Sequence, residues 1–173
     1  MVNITRNIAL IGFMGTGKTT IGRLLAEKLK KEFIETDSLI EDRARKTISR
    51  IFAEDGESRF RELEIEAIRE AAEAEGAVIS CGGGAVLNRI NVDRLREKSM
   101  IILLEASPEE IFRRTSSVER PLLAGERLKE IKILLKKREP FYQNAADYRI
   151  DTTGLQVEAV LDRISKISSG VGE

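Results

Sequence analysis

Residues 8–20 read IALIGFMGTGKTT. Four apolar residues, Ile8–Ile11, end in Gly12, and the next seven positions complete the pattern G-x-x-x-x-G-K-[ST]. This feature constrains the fold more than any other. The apolar run has the character of a strand buried on both faces. Ile21, Leu25 and Leu29 follow at helical spacing. The glycines Gly12, Gly15 and Gly17 let the backbone curl around an anion with its N–H groups inward. Thr16 and Thr20 belong to the same wrap. Lys18 is placed to reach β- and γ-phosphates, Thr19 offers a hydroxyl to Mg²⁺, and the helix N-terminus adds partial positive charge. The expected ligand is a nucleoside triphosphate with Mg²⁺. The loop alone leaves open a kinase, a switch or a motor.

The rest of the chain repeats the strand–helix alternation. Short apolar runs at FIET, AVISC, MIILLE and YRIDTT are separated by helical stretches. Asp37 is a candidate cap for the helix DSLIEDRARK, and Gly76 for the end of a long helix that starts near Gly56. Ser107 and Pro108 mark another start. A further helix, from Arg127, is expected to end or kink at Pro140, because an interior proline costs about 3 kcal/mol. The pattern predicts an α/β protein with a mostly parallel sheet covered on both faces. We read residues 1–173 as one domain, with no linker or internal repeat.

Composition narrows the chemistry. There are 29 basic and 29 acidic residues and no net charge, which argues against a nucleic-acid binder. No segment is long and apolar enough to cross a membrane, and no signal peptide is evident. One cysteine fits a reducing cytoplasm. With no histidine, proton transfer and metal binding fall to carboxylates, hydroxyls and lysine.

Several residues are out of place. On the long helix, at ~100° per residue, Arg61 and Glu64 fall inside the arc made by Phe60, Leu63, Ala67, Ile68 and Ala71. Glu57 shares that arc. Arg61 is either the centre of an internal ion-pair cluster or a grip for an anionic substrate. Arg138 likewise sits on a stripe with Leu128, Ile131, Leu134, Leu135 and Phe141. It is either a snorkelling side chain or a second grip. Gly82, Gly83 and Gly84 end the third strand, where open α/β sheets bind ligands. Cys81 beside them reads as a small buried hydrophobe. Glu35 and Asp37 end the second strand, and Asp37 is the best candidate base. Glu35 could hold Mg²⁺ through water, with Glu105 a rival. Arg120, in SSVERPLLAGE, sits either in a surface loop or, in a kinase, on a lid that excludes water.

Together GFMGTGKTT, ETD, FRELE, SCGGGAV, RRT, RPLLAG and KREPFY resemble the shikimate kinase family, in its order and approximate spacing over residues 7–150. The resemblance implies a three-layer α/β/α P-loop kinase fold with a five-stranded parallel sheet in the order 2-3-1-4-5 and a mobile lid at 116–126. It implies Mg²⁺-dependent transfer of the ATP γ-phosphoryl group to the 3-hydroxyl of shikimate, in aromatic amino-acid biosynthesis, by a cytoplasmic monomer. Asp37 would hold the shikimate hydroxyls and help draw off the proton, within an acceptor region at 37–62. Arg61 and Arg138 would clamp the carboxylate, and Gly82, Gly83 and Gly84 would close the pocket. Lys18 and Arg120 would stabilise the phosphoryl group. Arg114 would lie along the adenine, near Thr152–Leu155. The family usually has aspartate where this chain has Glu35. A gluconate or nucleotide kinase of the same fold is the nearest alternative. A GTP switch is disfavoured, since none of Asn3, Asn7, Asn88, Asn91 and Asn144 begins an N-K-x-D motif.

Overall fold

A computed structural model describes residues 6–116 and 124–170. Five parallel strands form one sheet in the order β2-β3-β1-β4-β5, as the resemblance implies. They are β1 (Asn7–Ile11), β2 (Phe33–Glu35), β3 (Val78–Ser80), β4 (Ser99–Glu105) and β5 (Tyr148–Asp151). Register is set by Leu10 opposite Ser80 on one side of β1 and Ile102 on the other.

The strands carry apolar residues on both faces because helices cover both. Ala9, Ile11, Ile79, Ile101 and Leu103 face α4 (Gly56–Glu73), α5 (Arg89–Lys98) and α7 (Ala124–Ala145). Ile8, Leu10, Val78, Ile102, Leu104 and Ile150 face α1 (Lys18–Leu29) and α8 (Val157–Ser168). This is the burial that two-sided strands require. A smaller cluster of Ile40, Ile51, Phe60, Leu63 and Ala67 packs α2 (Thr36–Ala44) against α4.

Local signals hold in part. Ser107 caps α6 (Pro108–Thr115), accepting from the Glu110 N–H at 3.2 Å. Asp37 is not a cap: α2 begins one residue earlier, at Thr36, which places Asp37 in its first turn. The long helix stops at Glu73, before Gly76. The helix α7 runs through Pro140 to Ala145. Pro140 lies on the exposed side, while Tyr142 and Ala145 beyond it are buried and hold the last turn. Phe141 is 46% exposed, so Tyr142 takes its expected place in the stripe. Between α2 and α4, where the sequence shows no clear period, the chain forms the short α3 (Ile48–Arg50) and a π-helical turn (Ile51–Asp55). Arg120 and most of the expected lid lie outside the described residues.

The fully buried Asn7 ties the start of β1 to the turn before β3. Its amide donates to the Ala74 carbonyl and accepts from the Ala77 N–H, both at 2.8 Å. Asn7→Ala leaves two backbone groups without partners. It is expected to cost about 2–4 kcal/mol, read as a lower midpoint in urea unfolding at unchanged slope.

Candidate active site

The glycine loop joins β1 to α1 at the carboxyl edge of the sheet. Gly12 has a φ of 144°, and a Cβ there would stand 2.3 Å from the Leu104 carbonyl oxygen. The loop therefore lies directly on the end of β4, and only glycine fits. Gly17, also at positive φ, opens α1 without a side-chain cap, so the first helical N–H groups remain available to an anion. Gly15 and Thr20 line the same cleft.

The loop is closed on itself. The Phe13 carbonyl accepts from Lys18 Nζ at 2.9 Å, from Thr16 Oγ1 at 2.8 Å and from the Thr16 N–H at 3.4 Å. Burial lowers the Lys18 pKa to about 8, against the opposing pull of Asp37. A cation this costly to bury is one that an anion would hold charged.

Thr19 Oγ1 donates to Glu35 Oε1 at 2.5 Å, and Ser38 Oγ donates to Glu35 Oε2 at 3.1 Å. A hydroxyl and a carboxylate thus meet beside the phosphate loop. Hard oxygen donors in this number suit Mg²⁺, which keeps most of its other positions for phosphate and water. Among the described residues no group of three or more metal-ligating carboxylate or cysteine side chains exists. The rival Glu105 is held by Arg149, at 2.8 and 3.2 Å.

A cleft of about 340 Å³ opens next to Lys18 and Thr19, bounded by Met14, Asp37, Cys81, Gly82 and Gly83. Burial raises the Asp37 pKa, and the neighbouring Lys18 opposes that rise. Each glycine after β3 admits one polar group. A Cβ on Gly82 would stand 2.7 Å from Asp37 Oδ1, and one on Gly84 would stand 2.6 Å from Arg61 Nη1. A Cβ on Gly83 would be 4.0 Å from Arg138 Nη1. The Arg138 guanidinium lies 5.9 Å from the centre of the Phe13 ring. Arg61 and Arg138, from different helices, therefore flank one run of three glycines. Arg61 is also paired, with Glu64 at 2.9 Å and Glu57 at 3.3 Å. The ion-pair cluster is thus present, and the Arg61 guanidinium also faces Gly84.

Arg114 crosses from α6 to the far side of the loop. It donates to Thr152 through Oγ1 and the carbonyl, both at 3.0 Å, and to the Gly15 carbonyl at 3.4 Å. Beside it a cavity of about 290 Å³ is lined by Gly17, Thr20, Thr152, Leu155 and Val160. The size and the mixed lining suit a heterocyclic base.

Three contributors escaped the sequence reading. Thr36 is buried and accepts from the Gly82 N–H at 3.0 Å, and Tyr142 donates to the Gly83 carbonyl at 2.6 Å. Tyr142 stands four residues after Arg138, a spacing that could have marked it. Glu64 was considered only as a partner for Arg61, yet it is 1% exposed.

A glycine loop at a helix N-terminus, a hydroxyl–carboxylate pair and two guanidinium groups beside a glycine run are features of a small-molecule phosphotransferase of the P-loop class. The family model described as shikimate kinase matches residues 14–168. A shikimate kinase of Moorella thermoacetica is 47% identical over 161 residues, covering 92% of each chain. One from Pelotomaculum thermopropionicum is 48% identical, over 92% of this chain and 93% of the relative. A solved shikimate kinase from Acinetobacter baumannii in complex with shikimate superimposes with a TM-score of 0.88 at 34% identity, over 97% of this chain and 95% of the other. The chain belongs to the shikimate kinase family.

Burial pushes the Cys81 thiol up to about 12, so it stays protonated through the neutral range. Iodoacetamide is expected to leave the folded protein unmodified and to alkylate it in urea. Equal rates in both would contradict this.

Proposed function

We propose that the protein is a shikimate kinase that transfers the γ-phosphoryl group of ATP to the 3-hydroxyl of shikimate, within chorismate and aromatic amino-acid biosynthesis. The observation that carries this is the meeting of Arg61, Arg138 and Asp37 at three consecutive glycines beside Lys18. A polyhydroxylated acid needs a cation pair for its carboxylate and an acceptor for its hydroxyls, and this cleft supplies both. Arg61 and Arg138 clamp the carboxylate, with Gly82, Gly83 and Gly84 giving the ring room to approach the backbone. Asp37 accepts from the acceptor hydroxyls and orients the attacking oxygen.

On the donor side, Gly12, Gly15, Thr16, Gly17 and Thr20 wrap the phosphates, and Arg114 covers the base. Lys18 exchanges the Phe13 carbonyl for phosphate oxygen. Mg²⁺ at Thr19, with Glu35 behind it, would neutralise charge on the phosphates. Arg120, on a lid at 116–126, completes the phosphoryl site, and residues 37–62 form the acceptor region of a single domain over 1–173. Catalysis then rests on alignment and electrostatics. A monomer is the expected state. The single cysteine supports a cytoplasmic setting. Zero net charge speaks against a nucleic-acid partner, and no described helix is long and apolar enough to cross a membrane.

Three measurements test this. ADP release from ATP and Mg²⁺ is expected with shikimate and not with gluconate or nucleoside monophosphates; turnover with either alternative alone refutes the assignment. Arg61→Ala is expected to raise the KM for shikimate roughly 10- to 100-fold, the worth of a charge-assisted pair, with little effect on the KM for ATP. Lys18→Ala is expected to abolish turnover while leaving the melting temperature no lower, because it removes a buried cation.

A further inference from the structure

The carboxyl group of Glu64 is the least solvated acid in the acceptor cleft. Its residue is 1% exposed, and only Oε1 is occupied, by Arg61 Nη1 at 2.9 Å. Oε2 is buried without a hydrogen-bond partner. It faces the glycine run: a Cβ on Gly82 would stand 3.3 Å from Glu64 Oε2 and 2.7 Å from Asp37 Oδ1. Two carboxyl oxygens from different helices thus converge on one backbone position, and among the described residues no cation is bonded to Oε2. An ionised Glu64 would leave an uncompensated anionic oxygen beside a second carboxylate. A protonated Glu64 removes that charge and makes the same oxygen a possible donor.

We propose that Glu64 carries a proton in the free enzyme, on Oε2, and that capture of the acceptor's carboxylate by Arg61 and Arg138 is coupled to that proton. The proposal rests on the shikimate reading for the identity of the acid. The coupling follows from competition for one guanidinium. Among the described residues, Arg61 is the only cation hydrogen-bonded to Glu64. An acid that binds Arg61 withdraws part of that cation and adds a negative charge nearby. Both changes make Glu64 hold its proton more tightly. Where the free enzyme has already lost it, binding must draw one proton from the buffer.

The surroundings agree in sign. On its own helix Glu64 faces Arg61, whose other branch is held by Glu57. Asp37 of α2 opposes ionisation, while Arg138 of α7 and Arg61 favour it; burial outweighs both and raises the Glu64 pKa. Cys81, after β3, is protonated, and Lys18 of α1 lies towards Asp37 and Cys81. Arg94 of α5 is turned away, to the Ile65 carbonyl. With the folded pKa raised, Glu64 is neutral below it. Acceptor affinity is therefore greatest at low pH and falls as pH rises through the free-enzyme value, by up to about tenfold per pH unit.

The test is a carboxyl ¹³C NMR titration of the glutamate-labelled full chain, with Glu64 assigned by backbone connectivity in the wild type and by its loss in Glu64→Gln. We expect Glu64 to titrate above the ordinary glutamate range, and higher again with shikimate present. In parallel, the wild-type KM for shikimate should climb with pH above that titration, and the climb should be absent in Glu64→Gln. Glu64 titrating at an ordinary value, a downward move with shikimate, or an unchanged climb in Glu64→Gln would each overturn the proposal. The wild-type titration decides the point even where Glu64→Gln does not fold. If shikimate is neither phosphorylated nor moves any resonance, the acceptor reading and the coupling fall together, while the free-enzyme titration still decides whether Glu64 holds a proton.

Discussion

The Asp37 carboxylate and the Arg61 guanidinium approach the backbone at Gly82 and Gly84 so closely that a methyl group at either position would clash. That close approach organises the acceptor side of the molecule. The helices α2, α4 and α7 have their own packing, through Ile40, Leu63 and Ile131 among others. What makes their polar residues converge is the backbone after β3, which offers no side chain of its own. Thr36 and Tyr142 hold that backbone in place, through the Gly82 N–H and the Gly83 carbonyl. The sheet matters to the chemistry mainly because β1 and β3 are neighbours. Their adjacency brings the phosphate loop and the glycine run side by side.

Much of this was visible in the sequence, and the reasons are specific. The glycine loop is read by spacing alone because each of its positions has a separate physical job. Arg61 and Arg138 stood out because a cation in an apolar arc breaks a strong period. Strand order is different in kind: the alternation of elements implies a parallel sheet, and only the family resemblance supplies the order 2-3-1-4-5.

The misses arise where tertiary packing outweighs a local rule. Pro140 should stop a helix, but it stands on the solvent side while Tyr142 and Ala145 are anchored below it. Asp37 has the chemistry of a cap, yet α2 begins a residue early, at Thr36, whose hydroxyl is used by Gly82. The segment between α2 and α4 has too few periodic residues to reveal a π-helical turn. Glu64 was hidden for another reason. Its position in the apolar arc was plain, but sequence cannot tell that one of its two oxygens lacks a partner.

The Phe13 carbonyl, which holds both Lys18 and Thr16, gives the phosphate loop a further property. The uncapped N–H groups that open α1 are available to any anion. Here the lysine already has an acceptor, and its proton is held weakly because it is buried. An entering ligand must bring enough negative charge to draw the ammonium off a neutral oxygen and keep it protonated. A multiply charged ligand compensates that exchange better than a singly charged one, so the Lys18–Phe13 contact biases the loop by ligand charge, before any recognition of the base begins.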